Sequence, residues 1–325
     1  MNDAGDNYLK RNLTMMTRIA LLLLVFPSLA AAQGFSPPED LSFRKDNIMS
    51  EGVRLGAEVF SLKANAEKKL PAIVMCHGWG GTARALRSDA VVFARAGYLV
   101  VSFDYRGWGA SDGRIIRIGK KSKDGGGAAV REIREVIDPI EQTTDLLNAI
   151  HWVQKEKQCD RERIGLWGSS FSGGHVVYAA ARDPRVKATV SQVPAFDGRW
   201  AINSSRMRKA TYGGATQRTR GETGYPEPTK AAPGKLKGSP ILEKIGRYAP
   251  VEDAARLKSC AALFILAEKE ELFDNREHGI LAHSKAKGPK KLVIIPEIKH
   301  YGIYREAKKQ AQELAIAWYD EHLKK

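Results

Sequence analysis

The chain predicts an α/β fold, a mostly parallel central sheet with helices on both faces and an inserted lid. Three observations carry this. Short apolar runs recur with helical stretches between them, the runs are mostly apolar throughout as in strands buried on both faces, and one connection, residues 197–249, is too long for an ordinary loop. The composition agrees: 325 residues, 43% hydrophobic and 27% charged, suit a globular enzyme with a sizeable core and not a disordered chain.

Taken in order, residues 19–32 (IALLLLVFPSLAAA) follow Lys10, Arg11 and Arg18 and end with Ala30 and Ala32 at the spacing a signal peptidase reads. Residues 1–32 are therefore expected to be a secretory signal peptide, and 33–325 a domain exported to the periplasm or secreted. Met15 or Met16 would start a tighter version of the same signal. The apolar run falls short of the roughly 20 residues of a spanning helix, and Pro27 breaks it, so no stable membrane insertion is expected after cleavage; an uncleaved anchor is the alternative reading.

Residues 41–62 read as a hairpin, followed by strands AIVMC (72–76) and YLVVSFDY (98–105). After a basic stretch at 114–135, Asp138 as N-cap, Pro139 at the first position and Glu141 three residues on form a capping box, with Leu146, Leu147, Ile150 and Val153 on one face of the helix that follows. Further strands are RIGLWG (163–168), KATVSQV (187–193), ALFILA (262–267) and KLVIIP (291–296). The last helix carries Ala307, Ala311, Leu314, Ala315 and Trp318 at core spacing, and residues 197–249 are expected to form the lid, with short helices of their own.

The formal charge is +15, from 52 Lys and Arg against 37 Asp and Glu; losing residues 1–32 removes two acids and three bases and leaves +14. Most of this excess is local, since 114–135 hold seven bases and three acids and 197–249 hold eleven bases and four acids. Nucleic acid is not the expected partner: aromatics are sparse in the basic stretches and no recognised binding module is visible. Both stretches follow strands, so they are expected to form a basic rim around a pocket, steering an anionic substrate or holding the protein near anionic envelope surfaces. The three cysteines have no CxxC and no Cys/His cluster, against a zinc ribbon or iron–sulfur site; Cys159 and Cys260 could pair in an exported protein, while Cys76 lies in a strand.

The strongest chemical signal is RIGLWGSSFSGGHVVYAAA, a strand that runs through Gly168-Ser169-Ser170-Phe171-Ser172-Gly173 into a helix. A serine on such a sharp turn, with small neighbours two residues to either side, is a nucleophile elbow. Ser172 stands where the pattern has its second glycine, which leaves Ser169 and Ser172 as rival nucleophiles to Ser170. Upstream, AIVMCHGWGG ends a strand in glycines that let backbone N–H groups approach a reacting carbonyl; the N–H groups of Trp79 and Phe171 are the expected oxyanion hole. Downstream, Glu270 follows strand ALFILA and His300 follows KLVIIP. A serine hydroxyl needs an imidazole base, and the imidazole needs a carboxylate to fix its tautomer, so Ser170, Glu270 and His300 are the candidate catalytic residues. Asp274, Glu271 and Asp197 remain candidates for the acid.

Other chemistries fit poorly. The glycines of VVSFDYRGWGASDG, at 107, 109 and 113, do not have dinucleotide-fingerprint spacing, and His278 and His283 lack the HExxH context of a metalloprotease.

The stretches HGWGG, DYRGWGASDG, GLWGSSFSGG, FILAEKEELFDN and IKHYGIY resemble the α/β-hydrolase superfamily over residues 41–325, within it the dienelactone hydrolase-like and X-Pro dipeptidyl-peptidase-like branches. The resemblance implies a stand-alone hydrolase with a lid after the strand that follows the elbow helix, and an Asp where this chain has Glu270. The expected reaction is acyl transfer from a small-molecule ester or amide to water, with no metal or organic cofactor. A carboxylic ester hydrolase is the first reading, a serine peptidase on short peptides the second, and a non-catalytic binding protein on the same scaffold the third.

Overall fold

The computed structural model describes residues 35–118, 127, 129–228 and 236–324; the expected signal peptide lies outside the described residues. Strands β1 (Leu41–Ser50) and β2 (Val53–Leu62) form the expected hairpin, turning through Glu51 and Gly52, both with positive φ as a two-residue type I′ turn requires. β3 (Leu70–Cys76) and β4 (Leu99–Phe103) follow. Four short strands, β5 (Ile115–Arg117), β6 (Val130–Glu132), β7 (Val136–Ile137) and β10 (Ser239–Pro240), lie outside the main sheet. β8 (Cys159–Ser169), β9 (Val186–Gln192), β11 (Ala261–Ala267) and β12 (Lys290–Ile295) complete it. The eight-stranded order is β1-β2-β4-β3-β8-β9-β11-β12; the hairpin pairs antiparallel, β2 joins β4 antiparallel, and every later pairing is parallel.

Eight helices accompany it among the described residues: α1 (Ala83–Arg95), α2 (Pro139–Val153), α3 (Phe171–Ala180), α4 (Ser205–Thr219), α5 (Leu242–Ile245), α6 (Pro250–Asp253), α7 (Gly279–Lys285) and α8 (Lys308–Leu323). Successive strand side chains take opposite faces. Along β3, Ala72, Val74 and Cys76 join the core made with Leu146 and Ile150 of α2 and Val176 of α3. On the other face Phe93 of α1 meets Trp167 of β8 and Tyr319 of α8. β3, β4 and β11 are buried along their whole length, as their apolar runs predict. β12 departs from that expectation: it is the edge strand, its first two residues Lys290 and Lys291 are exposed, and lysines there discourage pairing with another chain.

The cap of α2 is half of what the capping box predicts. Asp138 accepts the N–H groups of Ile140 (3.1 Å) and Glu141 (3.2 Å), but the Glu141 carboxylate takes Arg114 Nε at 3.0 Å. The other Asp138 oxygen holds Lys244 of the lid. β10 also pairs parallel with β7, so the stretch after β4 and the lid are joined by backbone as well as by charge. Between residues 197 and 249, the stretch expected to be a lid, the described chain forms a short 3-10 turn (Arg199–Ala201), α4, β10 and α5. Cys76, Cys159 and Cys260 are all free and buried, so the pairing considered for Cys159 and Cys260 does not form.

Beneath the elbow helix lies a buried polar cluster. His175 of α3 presents Nε2 to Gln142 Oε1 of α2 at 3.2 Å, which leaves Nδ1 to accept the hydroxyl of Tyr248 at the end of the lid. Burial, with a smaller contribution from His77, lowers the His175 pKa from 6.5 to about 3. The unfolded chain therefore binds a proton that the folded one refuses, so the associated stability is full above pH 6.5 and is lost as pH falls toward 3. At about pH 5 the loss amounts to about 2 kcal/mol. Denaturant unfolding of His175→Gln, followed against pH, is expected to show a correspondingly shallower acid slope than the parent; identical slopes would assign the acid sensitivity elsewhere.

Candidate active site

Ser170 sits between β8 and α3 with φ 58° and ψ −122°, backbone geometry that a non-glycine residue keeps only when its surroundings enforce it. Here they do: its N–H donates to Gln192 O at 2.8 Å, and its carbonyl accepts the N–H groups of Gly173 and Ala195, both at 3.0 Å. Gly168 lets the turn close, since a Cβ there would lie 2.2 Å from the Ser172 carbonyl oxygen.

The three serines of the turn are sorted by their partners. Ser172 Oγ accepts the Ser169 N–H at 2.9 Å and reaches Cys76 O at 2.8 Å, so the residue that replaces the second glycine ties the elbow to β3. Ser169 Oγ bonds Tyr304 Oη at 2.7 Å. Ser170 Oγ alone of the three meets an imidazole, His300 Nε2, at 3.0 Å.

His300 opens a 3-10 turn (His300–Tyr304) just after β12 and is 1% exposed. Its Nδ1 lies 2.8 Å from Glu270 Oε2. An ionised carboxylate only accepts, so Nδ1 carries the proton and Nε2 is free to take one from Ser170. Glu271 accepts the His300 backbone N–H at 2.8 Å, so adjacent glutamates hold the imidazole and the main chain of one histidine. The remaining acids are engaged elsewhere: Arg276 grips Asp274 and holds its pKa down to about 2, and Arg199 grips Asp197. Of the four candidate acids, Glu270 is the one that reaches the imidazole.

Trp79 and Phe171 stand with Ser170 in the wall of a cavity of about 720 Å³, their rings 5.2 Å apart. Phe171 opens α3, so its N–H has no intrahelical acceptor and is available to an oxygen in the cavity. Trp200 from the lid, Phe273 and Tyr301 add aromatic surface. The expected basic rim does not extend to the described wall of this cavity: among the described residues its charged lining is Arg199 against Asp197, Asp274 and Glu277. Among the described residues of 197–249, Arg199 pairs with Asp197, Arg218 with Glu243, Arg220 with Glu222 and Lys244 with Asp138, and in the stretch after β4 Arg114 pairs with Glu141 and Arg131 with Glu227.

Several contributors are assigned no role by the sequence. Tyr304, inside IKHYGIY, is one; Val193, held at φ 37° with its N–H on Ile265 O beside the strained serine, is another; His278 in the cavity wall is a third. The only available signal was their place just after a strand or beside a candidate residue.

Residues 51–234 match the family model described as X-Pro dipeptidyl-peptidase (S15 family). A 31.7 kDa Escherichia coli protein from the traX-finO intergenic region is 29% identical over 313 residues, covering 86% of this chain and 99% of that protein. The quorum-quenching protein AidA of Acinetobacter baumannii is 35% identical over 162 residues, 50% of this chain and 45% of that one. Among solved structures, the α/β hydrolase GrgF from Penicillium sp. sh18 superposes with a TM-score of 0.70 at 19% identity, covering 88% of this chain and 99% of that chain, a likeness of fold.

The role given to Ser172 is open to test. Ser172→Ala strips a partner from the Ser169 N–H and from Cys76 O, and is expected to lower the unfolding free energy by about 1–3 kcal/mol in denaturant titration. A loss within experimental error would mean that the hydroxyl does not hold the elbow.

Proposed function

Because the chain belongs to the X-Pro dipeptidyl-peptidase (S15) family and has the α/β-hydrolase fold, we propose that it is a serine hydrolase that transfers the acyl group of a carboxylic ester to water. The observation that carries this reading is the continuous contact from Ser170 Oγ through His300 to Glu270 at the wall of an aromatic cavity. As Oγ attacks the ester carbonyl, His300 Nε2 takes its proton, and the N–H groups of Trp79 and Phe171 meet the charge developing on the carbonyl oxygen. Collapse expels the alcohol, which receives that proton. A water deprotonated by the same imidazole then releases the acid, and Glu270 stabilises the imidazolium at both stages.

An ester is the preferred substrate in this reading because Trp79, Phe171, Trp200, Phe273 and Tyr301 give the cavity wall apolar surface for an acyl chain. The second reading, cleavage of short peptides, is supported by the family's peptidase description and by the carboxylates at the cavity, which suit a peptide ammonium, although Arg199 and Arg276 already occupy two of them. The leader expected at residues 1–32 would put this chemistry in the periplasm or outside the cell.

A fluorophosphonate is expected to label the folded protein on Ser170, located by peptide mass spectrometry, and medium-chain acyl esters are expected to turn over faster than X-Pro amides. No adduct would leave a binding protein on a hydrolase scaffold, an adduct on Ser169 or Ser172 would move the nucleophile, and faster amide cleavage would favour the peptidase.

A further inference from the structure

One buried side chain in the cavity wall has no part in the relay from Ser170 to Glu270. His278 immediately precedes α7, lines the same cavity as Ser170, and is 7% exposed. Its ring stacks on Phe273 with centroids 4.4 Å apart, and Phe273 meets the His300 ring edge-on at 5.7 Å. A single aromatic ring thus separates this imidazole from the one beside the serine.

The state of the His278 ring follows from its surroundings. Burial holds its pKa below the ordinary imidazole value, with Asp197 and then Glu277 pulling weakly the other way, so near neutral pH it carries one N–H. The backbone decides which nitrogen bears it. Nδ1 accepts the Phe196 N–H at 2.8 Å, and a nitrogen that accepts has no proton to give. The hydrogen is therefore on Nε2, and none of the described residues accepts it. A fixed donor without a partner among the described residues, in a wall that also carries the rings of Trp79, Phe171, Trp200 and Tyr301, is what a site needs to recognise an oxygen on a largely apolar ligand.

We propose that the His278 Nε2–H is a specificity contact, binding an acceptor oxygen that the substrate carries away from its scissile carbonyl. The preferred substrates are then esters with an oxo group on an otherwise apolar acyl or alcohol chain, not plain hydrocarbon esters. This rests on the serine ester hydrolase reading and adds to it a second polar anchor, distinct from the N–H groups of Trp79 and Phe171 that receive the scissile carbonyl.

The test walks a ketone along the chain. Hydrolysis of octyl octanoate is compared with two series of the same length, one with the ketone at successive positions of the acyl chain and one with it on the alcohol chain. In the parent protein at least one position is expected to raise kcat/KM about tenfold over the plain ester, the worth of one neutral hydrogen bond. His278→Asn keeps an acceptor where Nδ1 meets the Phe196 N–H but lacks the distal donor, and is expected to bring that ratio near one. His278→Gln places an amide N–H near the lost Nε2 and is expected to keep most of it. The ratio is internal to each variant, so a general loss of activity does not mimic the effect. No favoured position in either series, or a preference that survives in His278→Asn, overturns the proposal. If the parent hydrolyses none of the esters and Ser170 takes no fluorophosphonate, the hydrolase reading itself has failed; if it hydrolyses the plain ester but favours no ketone, only the His278 contact has.

Discussion

A serine at φ 58° and ψ −122° stays there only if the rest of the structure prevents it from relaxing, and Ser170 is held from both sides. Its N–H and carbonyl bond to Gln192 and Ala195, on the segment that leaves β9, so the strand next to β8 in the sheet dictates the conformation of the elbow. That segment is itself bent at Val193, which has positive φ despite its β-branch and is tied to Ile265 of β11. Strain of about 1–3 kcal/mol per such residue is therefore spread over neighbouring parallel strands and carried by the buried sheet.

With the hydroxyl placed, the other groups come to it from strand ends. β11 delivers Glu270 and Glu271, and β12 delivers His300, which the two glutamates hold by ring and by backbone. Tyr304, one turn beyond His300, bonds Ser169 and closes the circuit back to the elbow. The lid is bound into the same assembly through Tyr248 on His175 and Lys244 on Asp138, so the wall of the cavity is anchored to the helices that support the serine.

Much of this was legible in the residues because parallel strands buried on both faces leave uninterrupted apolar runs, and because chemistry at strand ends leaves its residues just after those runs. Ser170, Glu270 and His300 were found in that way. What stayed hidden depends on partners distant in sequence. Nothing local tells Glu270 from Glu271, Asp274 or Asp197, since the choice is made by which carboxylate reaches Nδ1 and which are occupied by Arg276 and Arg199. Ser172 looked like a rival nucleophile until its bonds to Ser169 and Cys76 made it a brace. The basic character says less about the site: counting charges along the chain locates the excess, but which bases meet a carboxylate, as Arg218 meets Glu243 and Lys244 meets Asp138, and that acids are the majority in the described lining of the cavity, depend on the fold. β12 read like an inner strand because its centre is apolar, and only the sheet order makes it an edge.

The proposed chemistry depends most on the carboxylate behind His300. With Glu270 replaced by Gln, the amide can present an N–H to Nδ1, favour the wrong tautomer and offer no charge to the imidazolium. The direct measurement is single-turnover acylation of Glu270→Gln beside the parent protein, using an ester the parent cleaves. A fall in acylation rate of about four orders of magnitude, with the fold intact by circular dichroism, is the predicted result; a rate within about tenfold of the parent would contradict the assignment and return the role to another acid.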